Sequence, residues 1–143
     1  MKILLAVDGS PYTKKLLAYL ATHDLFTKDN DFALFTAQPM LPLRARAAVG
    51  KAIVDKYYRD EAERILAPAA KFLLRHGINA SSSWQTGNAG ETIAKFAESG
   101  KFDLLIMGSH GYGTLVNLVM GSVATKVLAH CKVPVLLVRP PRH

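Results

Sequence analysis

The sequence contains a single cysteine and no apolar run approaching the roughly 20 residues that a helix needs to cross a bilayer. An internal disulfide is therefore excluded, and the apolar neighbours of Cys131 favour a small packing role over that of a nucleophile. Residues Met1–Pro11 contain a lysine and a short apolar run, as a signal peptide does, but Asp8 ends that run too early. We interpret this segment as a buried strand and expect a soluble, cytoplasmic protein without membrane contact.

Clusters of basic and aromatic residues are also missing. The net charge is +7, but the 18 Lys and Arg residues are scattered, and aromatic residues make up only 8% of the sequence. No segment interleaves dense basic residues with aromatic ones, and no RNP, KH or zinc-finger signature is present. We therefore favour a solvated surface that attracts anions in general over a dedicated nucleic-acid site.

What the sequence does contain is a regular succession of apolar runs. Five of them are rich in β-forming residues and predict strands at Lys2–Val7, Asp31–Ala37, Ile78–Trp84, Phe102–Met107 and Val133–Val138. Stretches with helical spacing separate them. The order of elements is therefore β-α-β-α-β-α-β-α-β, within a length of 143 residues that suits one domain.

Each predicted helix has recognisable boundaries. Ser10 is a suitable N-cap for the first helix, with Pro11 in its first turn. The second helix runs from about Ala48 to His76, where Gly77 follows as a C-cap, and Pro68 predicts a kink or a break within it. The remaining two helices are predicted from about Gly90 to Ser99 and from Ser122 to about His130.

Strict alternation of strands and helices is typical of a parallel sheet with helices on both faces. We predict a single-domain, open, Rossmann-like α/β fold with five parallel strands in the order 3-2-1-4-5. Strands one and four then flank a topological switch point, where ligands bind beyond the carboxyl ends of the strands. Two glycine-containing loops, "VDGSP" and "GSHGYG", follow these strands. Residues Gln38–Gly50 are interpreted as an irregular loop that could fold over the same edge.

The glycines after strand four predict a phosphate site. Gly108 is followed by Gly111 after two residues, and by Gly121 and Ser122 after a further nine. Small residues let backbone N–H groups approach an anion, and the start of the next helix adds unpaired donors and a positive dipole end. The alternative is that the glycines only form turns and that Ser122 only caps the helix.

These residues resemble the universal stress protein family, in particular its ATP-binding branch. That branch carries the pattern G-x-x-G-x9-G followed by Ser or Thr, which "GSHGYGTLVNLVMGS" matches at every defined position. The segments "ILLAVDGSP", "TGNAGETIAKFAE" and "CKVPVLLVRP" extend the resemblance over nearly the whole chain. The resemblance implies that residues 1–143 form one nucleotide-binding domain of a cytoplasmic homodimer that binds ATP in the stress response.

The resemblance also assigns roles to individual residues. Asp8 corresponds to an acidic residue near the nucleotide and its Mg²⁺, and the backbone at Ala37 to the position that meets the adenine edge. Gly108, Gly111, Gly121 and Ser122 correspond to phosphate contacts. Ser109 and His110 of the same loop complete the candidate nucleotide-binding residues.

Two of these residues have alternative roles. Asp8 is either a metal or ribose ligand or an Asx-turn residue that stabilises the loop, and we favour the ligand. His110 is either a phosphate donor or acid/base group, or a polar loop residue. We favour the loop role, because no carboxylate lies nearby in the sequence.

We therefore expect an ATP-binding regulatory protein with slow or no hydrolysis. The glycine loop has no lysine of the G-x-x-x-x-G-K-[ST] type, and no catalytic residue is assigned. One alternative is a module of the same fold that binds other proteins without nucleotide. A further alternative, an ATP-using enzyme of the wider superfamily, lacks its S-G-G-x-D-S or H-x-G-H signature here. The apolar strand Val133–Val138 would lie at the sheet edge and is predicted to pair with its copy in a homodimer.

Overall fold

The computed structural model describes residues 1–23, 29–110 and 120–139. Strands and helices alternate along the chain, with one additional helix after the second strand. The elements are β1 Lys2–Ala6, α1 Pro11–Thr22, β2 Asp31–Gln38, α2 Leu43–Val49, α3 Lys51–Arg75, β3 Ser81–Thr86, α4 Ala89–Ser99, β4 Leu104–Gly108, α5 Ser122–His130 and β5 Val135–Val138.

The strands form one sheet in the order β3-β2-β1-β4-β5, with all neighbouring pairs parallel. Ile3 of β1 lies opposite Phe32 of β2 on one side and Leu104 of β4 on the other. The predicted fold class and strand order are therefore confirmed. The carboxyl ends of β1 and β4 are adjacent, and the chain leaves them in opposite directions along the sheet, which creates the predicted switch point.

Side chains of β1 alternate between two apolar cores. Ile3, Leu5 and Val7 pack with buried residues of α1 and α3 on one face of the sheet. Leu4 and Ala6 pack with buried residues of α4 and α5 on the other. This alternation follows from the two-residue period of a strand, and the burial of both faces explains why β1 is apolar along its length.

The predicted irregular loop at Gln38–Gly50 is wrong in part, because it contains α2. The seven residues of α2 are Leu, Arg, Ala and Val only, and all but valine are good helix formers. Pro42 precedes the helix, and Gly50 follows it with a φ of 85°. That backbone angle separates α2 from α3, so the long helix begins at Lys51 rather than near Ala48.

The predicted break at Pro68 is also wrong, since α3 continues through it to Arg75. Leu66, Ala69 and Leu73 are buried on both sides of the proline, so tertiary packing holds the helix together. Gly77, with a φ of 79°, follows the helix end in the left-handed conformation. The N–H groups of Gly77 and Ile78 donate to the carbonyls of Leu74 and Leu73, which forms a Schellman motif.

Three strands begin later than predicted because apolar residues before them serve other elements. Ile78 belongs to the Schellman motif of α3, so β3 is Ser81–Thr86 instead of Ile78–Trp84. The N–H of Phe102 donates to Ala97 at the end of α4, so β4 is Leu104–Gly108 instead of Phe102–Met107. Strand β5 begins at Val135, immediately after Pro134.

The first turns of two helices differ from the predicted capping. Ser10 occupies the N-cap position of α1 but makes no capping bond with its side chain. Its Oγ is buried and has no hydrogen-bond partner in the part of the chain that the structure describes. The N-cap of α5 is Gly121, so Ser122 is the first helical residue rather than the cap.

Candidate functional site

A cavity of about 260 Å³ opens at the carboxyl ends of β1, β2 and β4 and is bounded by the start of α5. All but one of the predicted nucleotide-binding residues line it: Asp8, Ala37, Gly108, Ser109, His110, Gly121 and Ser122. The exception, Gly111, lies outside the described residues. The fold therefore brings together residues that are more than 110 positions apart in the sequence.

The loop after β1 is stabilised by a short-range network around Asp8. Asp8 Oδ1 accepts hydrogen bonds from the Ser10 N–H at 2.9 Å and from Thr13 Oγ1 at 3.0 Å. Thr13 Oγ1 in turn accepts from the N–H groups of Asp8 and Gly9 at 3.3 and 3.1 Å. The bond from Ser10 makes this loop an Asx turn, one of the two roles considered for Asp8.

Gly9 is required at this turn for two reasons. Its φ is +76°, which L side chains rarely adopt, and a Cβ built on it would lie 2.8 Å from Ile65 Cγ1 in the core. The loop therefore lies directly against α3. The carboxylate of Asp8 is held at the cavity by a backbone that has little freedom to move.

The loop after β4 is fixed by backbone contacts with distant residues. The N–H of Ser109 donates to the carbonyl of Val138 in β5 at 3.0 Å. The carbonyl of Ser109 accepts from the N–H of Gly121 at 2.7 Å. This second bond joins the two ends of the glycine motif, so Gly108 and Gly121 belong to one site despite their separation in sequence.

Gly108 itself lies close to the loop backbone. A Cβ at this position would be 3.1 Å from the carbonyl oxygen of His110, which is tighter than ordinary packing. The missing side chain therefore lets the chain turn sharply at the end of β4. It also leaves the backbone at the cavity wall uncovered.

His110, for which the sequence favoured a polar loop role, lies at the cavity. It is buried in the cavity wall, and its Nδ1 lies 2.8 Å from Ser109 Oγ. The ring of Tyr12 from α1 lies 6.1 Å away between centroids. His110 therefore lies next to the first turn of α1, a contact that no sequence pattern predicts.

The first turn of α5 provides an anion-binding feature. The N-cap Gly121 makes no side-chain capping bond, and no acidic residue is present in the first turn. Thr125 Oγ1 donates to the Gly121 carbonyl at 2.9 Å, which fixes the turn from within. Unpaired N–H groups and the positive end of the helix dipole make such a terminus favourable for phosphate.

Much of the remaining wall is apolar. Residues from β1, β4, the segments after β1 and β2 and the starts of three helices line the cavity as well. Sequence analysis did not select them: Ala6, Val7, Tyr12, Thr13, Leu16, Pro39, Ala89, Ile93, Met107, Val123 and Ala124. A cavity with apolar walls on one side and convergent backbone donors on the other suits a ligand that combines an aromatic ring with phosphates. Several of these residues could have been found from their position in the first turn after a strand.

The charges and reactive groups of the described residues limit the chemistry. Asp8 is the one carboxylate among the described residues that line the cavity. Within the same part of the chain no group of three His, Cys, Asp or Glu residues could hold a metal ion. Cys131 lies away from the cavity lining, and burial raises the pKa of its thiol, with a further increase from Glu98. Helices in the described ranges are too short or too polar to span a bilayer.

Comparison with known proteins extends these findings. The model of the universal stress protein family matches residues 1–139. The universal stress protein Slr1230 of Synechocystis is 33% identical over 96% of this chain, which spans 42% of that relative. A universal stress protein of Thermus aquaticus is 29% identical over 96% of this chain and 97% of its own length. The chain thus spans less than half of one relative and nearly all of the other.

Solved structures share the fold. MJ0577 of Methanocaldococcus jannaschii aligns with a TM-score of 0.83 at 24% identity, over 99% of this chain and 97% of its own. An Arabidopsis thaliana universal stress protein with AMP bound has a TM-score of 0.70 at 15% identity, with coverages of 99% and 92%. A universal stress protein in complex with cAMP has a TM-score of 0.66 at 21% identity, with 96% of each chain covered. Because the family model matches residues 1–139, this chain belongs to the universal stress protein family.

Proposed function

We propose that this protein binds an adenine nucleotide, with Mg-ATP as the expected ligand, in the cavity at the switch point of the sheet. The observation that carries the proposal is the convergence of Gly108, Gly121 and Ser122 with Asp8 and Ala37 around one cavity. Phosphates would contact the N–H groups at the start of α5 and the backbone after β4. The apolar wall near Ala37 would receive the base. The AMP and cAMP complexes of two family members support an adenine ligand.

Magnesium fits this site as a companion of the nucleotide. Mg²⁺ retains several waters and is usually held by one or two carboxylates together with substrate phosphates. Asp8 offers such a carboxylate, although its Oδ1 also accepts two hydrogen bonds from the loop. The residues of this cavity therefore suit an ion that arrives with the nucleotide, and Asp8 would hold it directly or through water.

The proposed role is regulatory, in the response to stress. The sequence lacks a P-loop lysine, so we expect turnover far below the roughly 10 per second of a typical enzyme. Nucleotide would instead favour one arrangement of the protein through differential affinity. Hydrolysis at the rate of a metabolic enzyme would contradict this role.

Thermal unfolding with and without Mg-ATP tests the binding proposal. A ligand present at 100 times its dissociation constant adds roughly 2.7 kcal/mol of stability. We expect this shift in the wild type and its loss in Gly121→Val, because the added side chain blocks the approach of a phosphate to α5. Ala52→Val, which adds comparable bulk at an exposed position of α3, is the control and keeps the shift. Parallel scans with ADP, AMP and cAMP rank the candidate ligands.

The absence of a shift in wild-type protein shown to be free of nucleotide would contradict the proposal. The function would then pass to the nucleotide-independent interaction module of the same fold. A shift that survives in Gly121→Val would place the nucleotide elsewhere in the molecule.

We further propose that the protein is a homodimer formed through the β5 edge. Strand β5 is at the edge of the sheet, where backbone groups are open to pairing, and its Leu136 is 37% exposed. Leu128 of α5, the helix before this strand, is 46% exposed. Leu136→Lys should convert a dimer at micromolar concentration into a monomer, as measured by sedimentation velocity. Leu74→Lys, at an exposed apolar position of α3, should leave the mass unchanged. A monomeric wild type would contradict this assembly.

A further inference from the structure

An exposed apolar surface lies on α2, on the segment that leads into it and on the first turns of α3. Five large apolar side chains contribute to it, with exposed fractions of 46% to 72%: Met40, Leu43, Val49, Ile53 and Tyr57. We call this surface, together with Arg44 and Arg46, the α2–α3 face. Single exposed apolar side chains are normal, but five of them between positions 40 and 57 are more than scattered exposure accounts for.

Helix α3 carries a second apolar line only where it adjoins α2. Val54 and Tyr58 belong to the buried stripe of the helix. Ile53 and Tyr57 each precede one of these residues and are four positions apart, so they form a separate line about 100° around the helix. One turn further this line reaches Glu61, which pairs with Arg64 at 3.0 Å. The outer apolar line therefore ends after Tyr57.

Helix α2 has little stabilisation of its own. It has seven residues, none of them is buried, and no side chain caps its N-terminus. Isolated helices shorter than about 12 residues are marginal in water. Its apolar side chains, with Leu43 72% exposed, would gain stability from a partner that covers them.

The charge of this region indicates what the partner carries. Residues 40–60 contain five Lys or Arg residues and two Asp residues. The only charged residues of α2 are Arg44 and Arg46. A carboxylate is the side-chain acceptor that best matches a guanidinium group.

We propose that the α2–α3 face docks an amphipathic helix of a partner protein, with an apolar side flanked by carboxylates. The apolar side would cover Leu43, Ile53 and Tyr57, and the carboxylates would pair with Arg44 and Arg46. This inference does not depend on nucleotide binding.

Other occupants fit the surface less well. A second copy of this chain would bring two basic faces together, and like charges oppose such an interface. The proposed dimer edge, β5, is three strand spacings from β2, about 14 Å, so it does not account for this surface.

Two synthetic peptides test the proposal. One is an 18-residue helix with leucine along one side and glutamate beside it, and the other has lysine at every glutamate position. We expect the full-length protein to bind the glutamate peptide at least tenfold more tightly, measured by fluorescence anisotropy. Leu43→Ser should weaken this binding at least tenfold, whereas Leu74→Ser, at a 62% exposed position near the end of α3, should not. Circular dichroism and the unfolding midpoint establish that each variant is folded.

Charge reversal distinguishes binding at the α2–α3 face from non-specific attraction of an acidic peptide to a basic protein. The double variant Arg44→Glu, Arg46→Glu should prefer the lysine peptide. The charge-matched control Lys71→Glu, Lys95→Glu changes exposed residues outside the face and should keep the preference for glutamate. The proposal would be overturned if both double variants lost the preference for the glutamate peptide equally. It would also be overturned if the wild type bound the two peptides equally.

Two further results would assign the surface to another occupant and overturn the proposal. One is binding to phosphatidylglycerol vesicles, lost in Leu43→Ser, without binding to the glutamate peptide. The other is self-association of the wild type that Leu43→Glu abolishes and Leu136→Lys does not.

Discussion

The two loops on either side of the switch point line the same cavity but are stabilised in different ways. In the loop after β1, Asp8, Ser10 and Thr13 bind one another within five residues of sequence. In the loop after β4, Ser109 binds Val138 and Gly121, which are distant in sequence. Local hydrogen bonds within a short motif therefore define the geometry of the first loop. The geometry of the second loop depends on the assembled sheet and on α5.

This difference predicts that changes in the loop after β1 will affect stability most. Gly9→Ala should lower the free energy of unfolding by about 2–5 kcal/mol, measured by urea denaturation. The expected cost combines left-handed backbone strain of about 1–2 kcal/mol with overpacking against Ile65 of about 1–3 kcal/mol.

Gly50→Ala is the matched control for this change. Gly50 also has a positive φ, 85°, but a Cβ there would meet nothing within 4 Å. Its cost should be limited to the backbone strain of a side chain at φ 85° and ψ 162°, about 1–3 kcal/mol. Equal costs for the two variants would show that the contact with α3 does not constrain the loop.

Loss of the Thr13 hydroxyl should have the next largest effect. Thr13→Val removes the acceptor of two backbone N–H groups and one donor to Asp8, so we expect a loss of about 1–3 kcal/mol. The control Thr22→Val removes only an exposed bond to the Ala18 carbonyl and should cost less than about 0.5 kcal/mol. If chemical denaturation gave similar values for both, the network would not stabilise the loop.

A change in the loop after β4 should affect the ligand more than the fold. Gly108→Ala places a Cβ 3.1 Å from the His110 carbonyl and next to the proposed phosphate position. We expect a roughly tenfold weaker nucleotide affinity, about 1.4 kcal/mol, by isothermal titration calorimetry. Stability without nucleotide should fall by less than about 1 kcal/mol, because a shift of a few tenths of an ångström relieves the contact. Unchanged affinity would remove Gly108 from the proposed site.

The same contrast explains how much of the site could be predicted. The Asp, Ser and Thr residues of "DGSPYT" interact within one turn of chain, so an Asx turn was foreseeable, although the role of Thr13 was missed. The pairing of Gly108 with the start of α5 required the order of the strands. That order followed from the alternation of strands and helices, so most predicted site residues meet at one cavity. Contacts between side chains of different elements, such as Tyr12 with His110, leave no periodic signal in the sequence.

The bounds of an element were predicted least well where its apparent first residues belong to the element before it. Ile78 has a strand-like neighbourhood but completes the end of α3, and polar Ser81–Thr86 forms the edge strand through its backbone. Helix α2 was missed because seven residues between prolines and a glycine are too short for a periodic pattern. Because no residue of α2 is buried, its sequence also lacks the amphipathic pattern by which a helix that packs on a core is predicted.

One hydrogen bond holds the short segment that lies between the cavity and the α2–α3 face. The N–H of Leu41 donates to the hydroxyl of Tyr58 at 2.9 Å, which ties the chain after β2 to α3. Two residues earlier, Pro39 lines the cavity, and one residue earlier, Met40 belongs to the outer face. Thermodynamic linkage makes such coupling reciprocal. If bound nucleotide changes the affinity for a partner by some factor, the bound partner changes the affinity for the nucleotide by the same factor. If the nucleotide and the partner helix both contact residues 39–41, binding of one would change the affinity for the other. The partner would then also determine the nucleotide concentration at which the cavity is half occupied.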